Sequence, residues 1–314
     1  SVIMIYQTQN GTIDNSADSP DYGGMYGNGT GYLTSDNAGY YDFNVITGVT
    51  FASGNLYTLD LQFALSENFV SNGNAKFQII VVPYCGVTTI TGTSPTFTPW
   101  NGEYGGIVAL LSHDLIFDTS IDLKGFGFRG GDFSGITTTI GSDPQDDNYA
   151  DSSAGPGTVA RRNAFKGEGF IGTPRLDGNP STYPSGFDSA HGSPGNAGGG
   201  GNRGTTASGG GGGGGSNGGF GQDGLPSSNN NAFGGLGGVS LYPNGIEQYD
   251  RIYLGGGGGS GRVSVQADGG NGGAIVIIHA NLINDNSDNS TSLLISSNGL
   301  SPTIANQNGG GKKL

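Results

Sequence analysis

The chain has 314 residues, of which 65 are glycine, and 25 Asp+Glu against 12 Lys+Arg leave a formal charge of −13. That balance argues against a nucleic-acid binder, which needs a basic face to displace phosphate counterions. A single cysteine, Cys85, excludes an intrachain disulfide, and no apolar run reaches the ~18–20 residues of a membrane-spanning helix.

The N-terminus, "SVIMIYQTQNGT", starts directly with strand-forming residues and lacks the basic region and cleavage site of a signal peptide. The chain therefore reads as a mature product or a piece of a longer precursor. Period two follows. In "FNVITGVTF" Phe43, Val45, Val49 and Phe51 share a face, and in "YTLDLQFALS" Tyr57, Leu59, Leu61, Phe63 and Leu65 alternate with polar or small residues. Both are patterns of half-buried strands. "KFQIIVVPY" (76–84) is continuously apolar and reads as a strand covered on both faces. Cys85, just after it, reads as a small buried hydrophobe. Residues 1–104 thus form an antiparallel β module, and helical periodicity is absent there and in the rest of the chain.

Residues 105–314 have another character. "GGIVALLSHDLI" (105–116) and "GGAIVIIHANLI" (272–283) align without a gap. Each is followed by a second short strand and a glycine, "SIDLKG" (120–125) and "SLLISSNG" (292–299). This internal repeat predicts two related strand pairs, 105–125 and 272–299, packed as neighbours around a long insertion, about 130–271. The insertion holds the glycine tracts, among them "GGGGNRGTTASGGGGGGGSNGG" (198–219) and "YLGGGGGSGRVSVQADGGNGG" (253–273). Two readings stand for it. The tracts are flexible linkers, or they pack as extended polyglycine-type helices of three residues per turn, whose missing Cβ atoms let backbones approach. The second requires nearly every backbone N–H and C=O to find a partner. The fold class is all-β: an antiparallel module, then strand pairs bracketing a polyglycine-II-like stack, with essentially no α-helix.

Short motifs give no enzyme. "GFGFRG" (125–130) has the spacing G-x-G-x-x-G, but "DFSGITTTIGS" follows it in place of the helix that would meet a pyrophosphate. "GGSNG" (214–218) fits G-x-S-x-G around Ser216 without the strand and helix of a nucleophile elbow. His113, His191 and His279 show no metal-ligand spacing, and His113 and His279 sit one position apart in the repeat, which sets them on opposite faces. No catalytic residue is assigned. Asp143, Asp146, Asp147 and Asp151 in "GSDPQDDNYADSS" form an oxygen-rich loop of the kind that suits Ca²⁺; Asp285 and Asp288 form a smaller one. The alternative is a solvated turn held by Asx hydrogen bonds. No other cofactor is expected. Tyr183, Phe187, Phe220, Phe233, Tyr242 and Tyr249 lie between glycine tracts and either plug the edges of a stack or stand at loop tips as ligand-binding aromatics.

Several segments in order carry a resemblance: "IMIYQTQNGTID" (3–14), "NAGYYDF" (37–43), "WNGEYGGIVAL" (100–110) and "IDLKGFGFRGG" (121–131). After them come "FKGEG" (165–169), "RIYLGGGGGSG" (251–261) and "GGNGGAIVIIHANLI" (269–283). Together they resemble the glycine-rich, adhesin-like surface proteins of Bacteroidota that are associated with gliding motility. The resemblance implies secretion by the type IX machinery, a place on the cell surface or in a surface filament, and a role in attachment. Its partners would be a surface polysaccharide, a host or abiotic surface, and the remainder of a larger precursor. Two alternatives remain: a filament subunit or spacer without a ligand, assembling through edge strands such as 1–6, and an ice- or crystal-binding protein using "TTITGTSPTFT" (88–98).

Overall fold

A computed structural model describes residues 1–13, 32–73, 75–91, 97–132, 164–172, 191–201, 209–226, 233–241, 250–261, 267–286 and 295–301. Among them the elements are all strands: β1 (Val2–Gln9), β2 (Thr12–Ile13), β3 (Tyr32–Thr34), β4 (Tyr41–Ser53), β5 (Leu56–Leu61), β6 (Lys76–Val81), β7 (Tyr84–Ile90), β8 (Ile107–Phe117), β9 (Ile121–Asp122), β10 (Ile275–Asp285) and β11 (Ile295–Ser296). The protein is all-β.

The first sheet has the order β5-β4-β1-β6, antiparallel throughout. β1 is therefore central, so assembly through residues 1–6 as an edge does not hold. Its buried polar side chains Gln7 and Thr8 are paired, as buried polar groups generally are, while Gln9 bonds through Nε2 and leaves Oε1 without a partner among the described residues. The Gln7 amide exchanges two 2.9 Å hydrogen bonds with the backbone of Val70, and Gln78 Nε2 donates to Thr8 Oγ1 at 2.8 Å. The strand expected to run through residue 66 ends at Leu61 because the Asn44 amide takes over both backbone groups of Phe63, at 2.9 and 3.2 Å. From there residues 62–70 fold back over the sheet. Nor is β6 covered on both faces. It is the outermost strand, and Ile79 and Val81 are 44% and 65% exposed, while Ile80 turns to the core. β2 and β3 form a separate antiparallel pair.

The second sheet, β10-β8-β7, is parallel, and β9 pairs parallel with β11. Both halves of the sequence repeat are thus neighbours in the ladder. Ile107 lies opposite Ile275 and Leu110 opposite Ile278, one residue off the alignment of the two repeats. His279 consequently lies opposite Leu111, two positions from His113 along β8. β7, inside the stretch expected to be antiparallel, instead joins β8 in parallel, and Cys85 on this outer strand is half-buried rather than buried. The residues of β8 in its second core change parity, from Val108 and Leu110 to Leu115 and Phe117. The ladders break at the same place: pairs stop at Cys85, Ser112 and Ala280 and resume at Val87, Asp114 and Leu282. There Ser112 Oγ donates to the Asp114 carbonyl at 2.7 Å.

Between the sheets and beyond them run the glycine segments. Hydrogen bonds from one segment to a given neighbour recur every third residue. Gly213 and Ser216 donate to Gly199 and Asn196, Gly211 and Gly214 to Leu225 and Gln222, and Gly198 and Gly201 to Gly257 and Ser260. A chain with three residues per turn presents the same side at that interval. The approach is too close for side chains: a Cβ on Gly213 would stand 2.0 Å from the Leu236 carbonyl oxygen, and one on Gly130 1.9 Å from that of Gly269. The glycine spacing of "GFGFRG" serves this packing, with Gly127 and Phe128 donating to the carbonyls of Gly272 and Gly255. A single core joins this region to the first sheet, with Met4 and Tyr6 in one buried cluster with Phe128, Phe170, Tyr253 and Leu254.

Candidate functional site

The segment 210–216 is buried along its length, and the chain then turns at the surface over 217–220. Polar anchors hold the turn. Asn217 Nδ2 donates to the Tyr253 carbonyl at 3.0 Å, and Ser240 Oγ to that of Gly218 at 2.9 Å. The returning segment, 221–226, forms a rim. Gly221 and Gly224 face inward and donate to the carbonyls of Gly238 and Gly235 at 2.8 and 2.7 Å. A Cβ on either would meet the carbonyl of Gly214 or Gly211 at 2.0–2.1 Å. Because every third residue must be glycine on this side, the other two columns are left to solvent. They carry Phe220, Gln222, Asp223 and Leu225, all exposed, with Phe220 at 71% and Leu225 at 74%. Asp223 Oδ1 accepts the Gly237 N–H at 2.7 Å, which ties that carboxylate to the neighbouring segment.

The rim thus offers an aromatic ring, an amide and a carboxylate on a backbone held from behind. A ring face stacks on the C–H face of a pyranose, and amides and carboxylates bond to hydroxyls.

The structure separates the other candidates. Phe233 is on the antiparallel neighbour and stacks on His191 at 6.1 Å and 30°. The pairing of 221 with 238 and 224 with 235 puts Phe233 and Phe220 at opposite ends of the rim, roughly 19 Å apart at ~3.1 Å per residue. Tyr183, Phe187, Tyr242, Tyr249, Asp143, Asp146, Asp147, Asp151 and Asp288 lie outside the described residues. Asp285 is exposed at the end of β10. Among the described residues no three His, Cys, Asp or Glu side chains converge to hold a metal ion. His113 Nδ1 lies 2.9 Å from Asp114 Oδ1 at the surface, and His279 is exposed. Ser216 is buried, its Oγ against the carbonyls of Val239 and Asn196, the reverse of an exposed nucleophile.

One polar cluster was not visible in the sequence. Glu168 Oε2 accepts Trp100 Nε1 at 2.8 Å and Arg129 Nε at 2.9 Å, and Oε1 accepts Gln9 Nε2 at 3.2 Å. Four distant segments meet at this carboxylate, whose oxygens are occupied by structural donors. The lone tryptophan and the charges in "GFRGG" and "FKGEG" were the available signals, but nothing in their spacing pairs them.

Compared with known proteins, the chain matches no family model, no curated protein and no solved structure.

Proposed function

We propose that this chain is a non-catalytic, extracellular attachment module. Its glycine segments act as polyglycine-II-type rods, and its rim at 217–226 contacts a surface polysaccharide. One observation carries the reading: Phe220 and Leu225 stand mostly in solvent on a segment whose backbone is hydrogen-bonded to its neighbours. Large apolar side chains exposed on a rigid support are a common form of recognition surface. Export by the type IX route, a cell-surface location and a part in gliding follow from the resemblance to glycine-rich surface proteins of Bacteroidota.

The test is adhesion of beads coated with the 1–314 chain to glycan-coated and bare hydrophilic surfaces. Saturable, glycan-selective binding that the Phe220→Ala/Leu225→Ala variant loses is expected. Equal binding by that variant, or no binding above an inert control, would refute the assignment.

A further inference from the structure

β4 and β5 form a hairpin with two unlike sides. Val49 lies opposite Leu59 and Phe51 opposite Tyr57, whereas Thr50 lies opposite Thr58 and Gly48 opposite Asp60. Side chains alternate across a strand, so the first set makes an apolar side and the second a polar one. Leu61 continues the apolar side, since it follows Leu59 by two residues. The same side of the sheet carries Ile5 opposite Ile79 and Ile3 opposite Val81.

This face has a knob and a hollow. Phe51 and Tyr57 meet edge-on with ring centroids 5.5 Å apart, and they are 59% and 62% exposed. Next to them is an apolar groove of about 340 Å³, lined by Ile5, Leu61, Leu65, Phe69, Phe77 and Ile79. The knob cannot enter its own groove. Tyr57 and Leu61 lie on one extended strand, about 13 Å apart at ~3.3 Å per residue, and their side chains project in the same direction.

An apolar sheet face is stable when another layer covers it, and two such faces pack as a sandwich. Here residues 62–70 fold over only part of the face. Val49, Phe51, Tyr57, Leu65, Ile79 and Val81 remain exposed. At roughly 100 Å² each, with about half that from each of four half-buried neighbours, they amount to about 800 Å², the area per partner of a standard stable interface. A twofold arrangement satisfies knob and hollow together, because in an isologous contact each copy supplies both. Among the described residues the one carboxylate lining the groove is Glu67.

We infer that the occupant of this face is a second copy of the same chain, with Phe51 and Tyr57 of each copy seated in the groove of the other. The face includes none of the residues 217–226, and the dimer does not depend on the attachment reading. Each copy carries −13, so the copies repel through solvent and association strengthens as salt shortens the Debye length.

The test is sedimentation equilibrium of the purified 1–314 chain at low and high salt. A species of twice the 31.7 kDa chain mass is expected, favoured by salt. Phe51→Glu/Tyr57→Ser, at the knob, and Ile79→Asp, at the groove, are each expected to weaken it about tenfold or more. Thr50→Glu, on the polar side, is expected to leave it intact, and an unchanged far-UV circular dichroism spectrum checks that each variant folds. A monomer at every salt concentration would overturn the inference. So would a larger open assembly, a dimer indifferent to both apolar variants, or dissociation by Thr50→Glu.

Discussion

Arg129 and Glu168 form an ion pair of 2.9 Å in which the guanidinium is 13% exposed and the carboxylate 2%. Arg129 belongs to the turn that leads from the paired strands into the glycine segments, and Glu168 to a segment that lies against them. Gln9 from β1 and Trp100 from the approach to β8 bond to the same carboxylate. A buried carboxylate is tolerated when its oxygens are paired with charged and neutral donors. This one joins both sheets and the glycine region at one point.

Removing the carboxylate takes away the centre of the cluster. Glu168→Ala is expected to destabilise the fold by about 3–5 kcal/mol, since it removes the buried acceptor that the Arg129 guanidinium and the Trp100 indole N–H share. Urea unfolding followed by the emission of Trp100, the only tryptophan, measures it. A change under about 1 kcal/mol would show that the cluster is not an anchor.

The glycine segments predict a sharp contrast between two Gly→Ala variants. At Gly213 the new Cβ would stand 2.0 Å from a backbone oxygen, which cannot yield as a flexible side chain would. A loss of about 3 kcal/mol or more is expected. At Gly86 no atom lies within 4 Å of the added Cβ, so Gly86→Ala is expected to be neutral or to stabilise by up to about 1 kcal/mol through the unfolded chain. Thermal melts of the two proteins suffice, and similar shifts would contradict the packing described.

Amide hydrogen exchange reads the same packing without substitutions. The N–H groups of Gly198, Gly199, Gly211 and Gly213 all have backbone acceptors at 2.8–3.0 Å and sit in buried segments. They are expected to exchange far more slowly than a free chain, as core strands do. Free-chain rates at these four amides would return the flexible-linker reading.

At the rim, stability and binding are expected to separate. Phe220→Ala and Leu225→Ala remove side chains that lie mostly in water, so each is expected to change stability by no more than about 0.5 kcal/mol. A large loss in a denaturant melt would mean that these residues are packing elements and not recognition elements.

Much of the strand content was legible from residue type and spacing. The apolar opening of β1 and the paired repeats of β8 and β10 are local patterns, and the repeats also indicated which distant strands would be neighbours. The one-residue difference in register was not legible, because it depends on how the ladders meet at Gly106 and Ile275, where Ile275 N donates to the Gly106 carbonyl at 2.9 Å. Exposure was misread for a related reason. Alternation in "YTLDLQFALS" shows that a strand has an apolar side, and says nothing about whether another layer covers it. In "FNVITGVTF" the shift in register between Ile46 and Gly48 sends Val49 and Phe51 to the side opposite Phe43 and Val45, so the four do not share a face as expected.

By itself, then, the sequence determined that the chain is β-rich, acidic and without an intrachain disulfide, and it left the glycine tracts as either flexible linkers or a packed stack. Those properties follow from steric and chemical features of each residue and its near neighbours. Tertiary structure alone decided which glycine segment lies against which, that β7 runs parallel to β8, that Glu168 gathers Gln9, Trp100 and Arg129, and that Phe220 and Leu225 stand free while Phe128 and Leu254 are enclosed. Glycine explains why: lacking a side chain, it carries no pattern that names a partner, and its neighbours are selected only when backbone donors and acceptors across the whole stack are satisfied together.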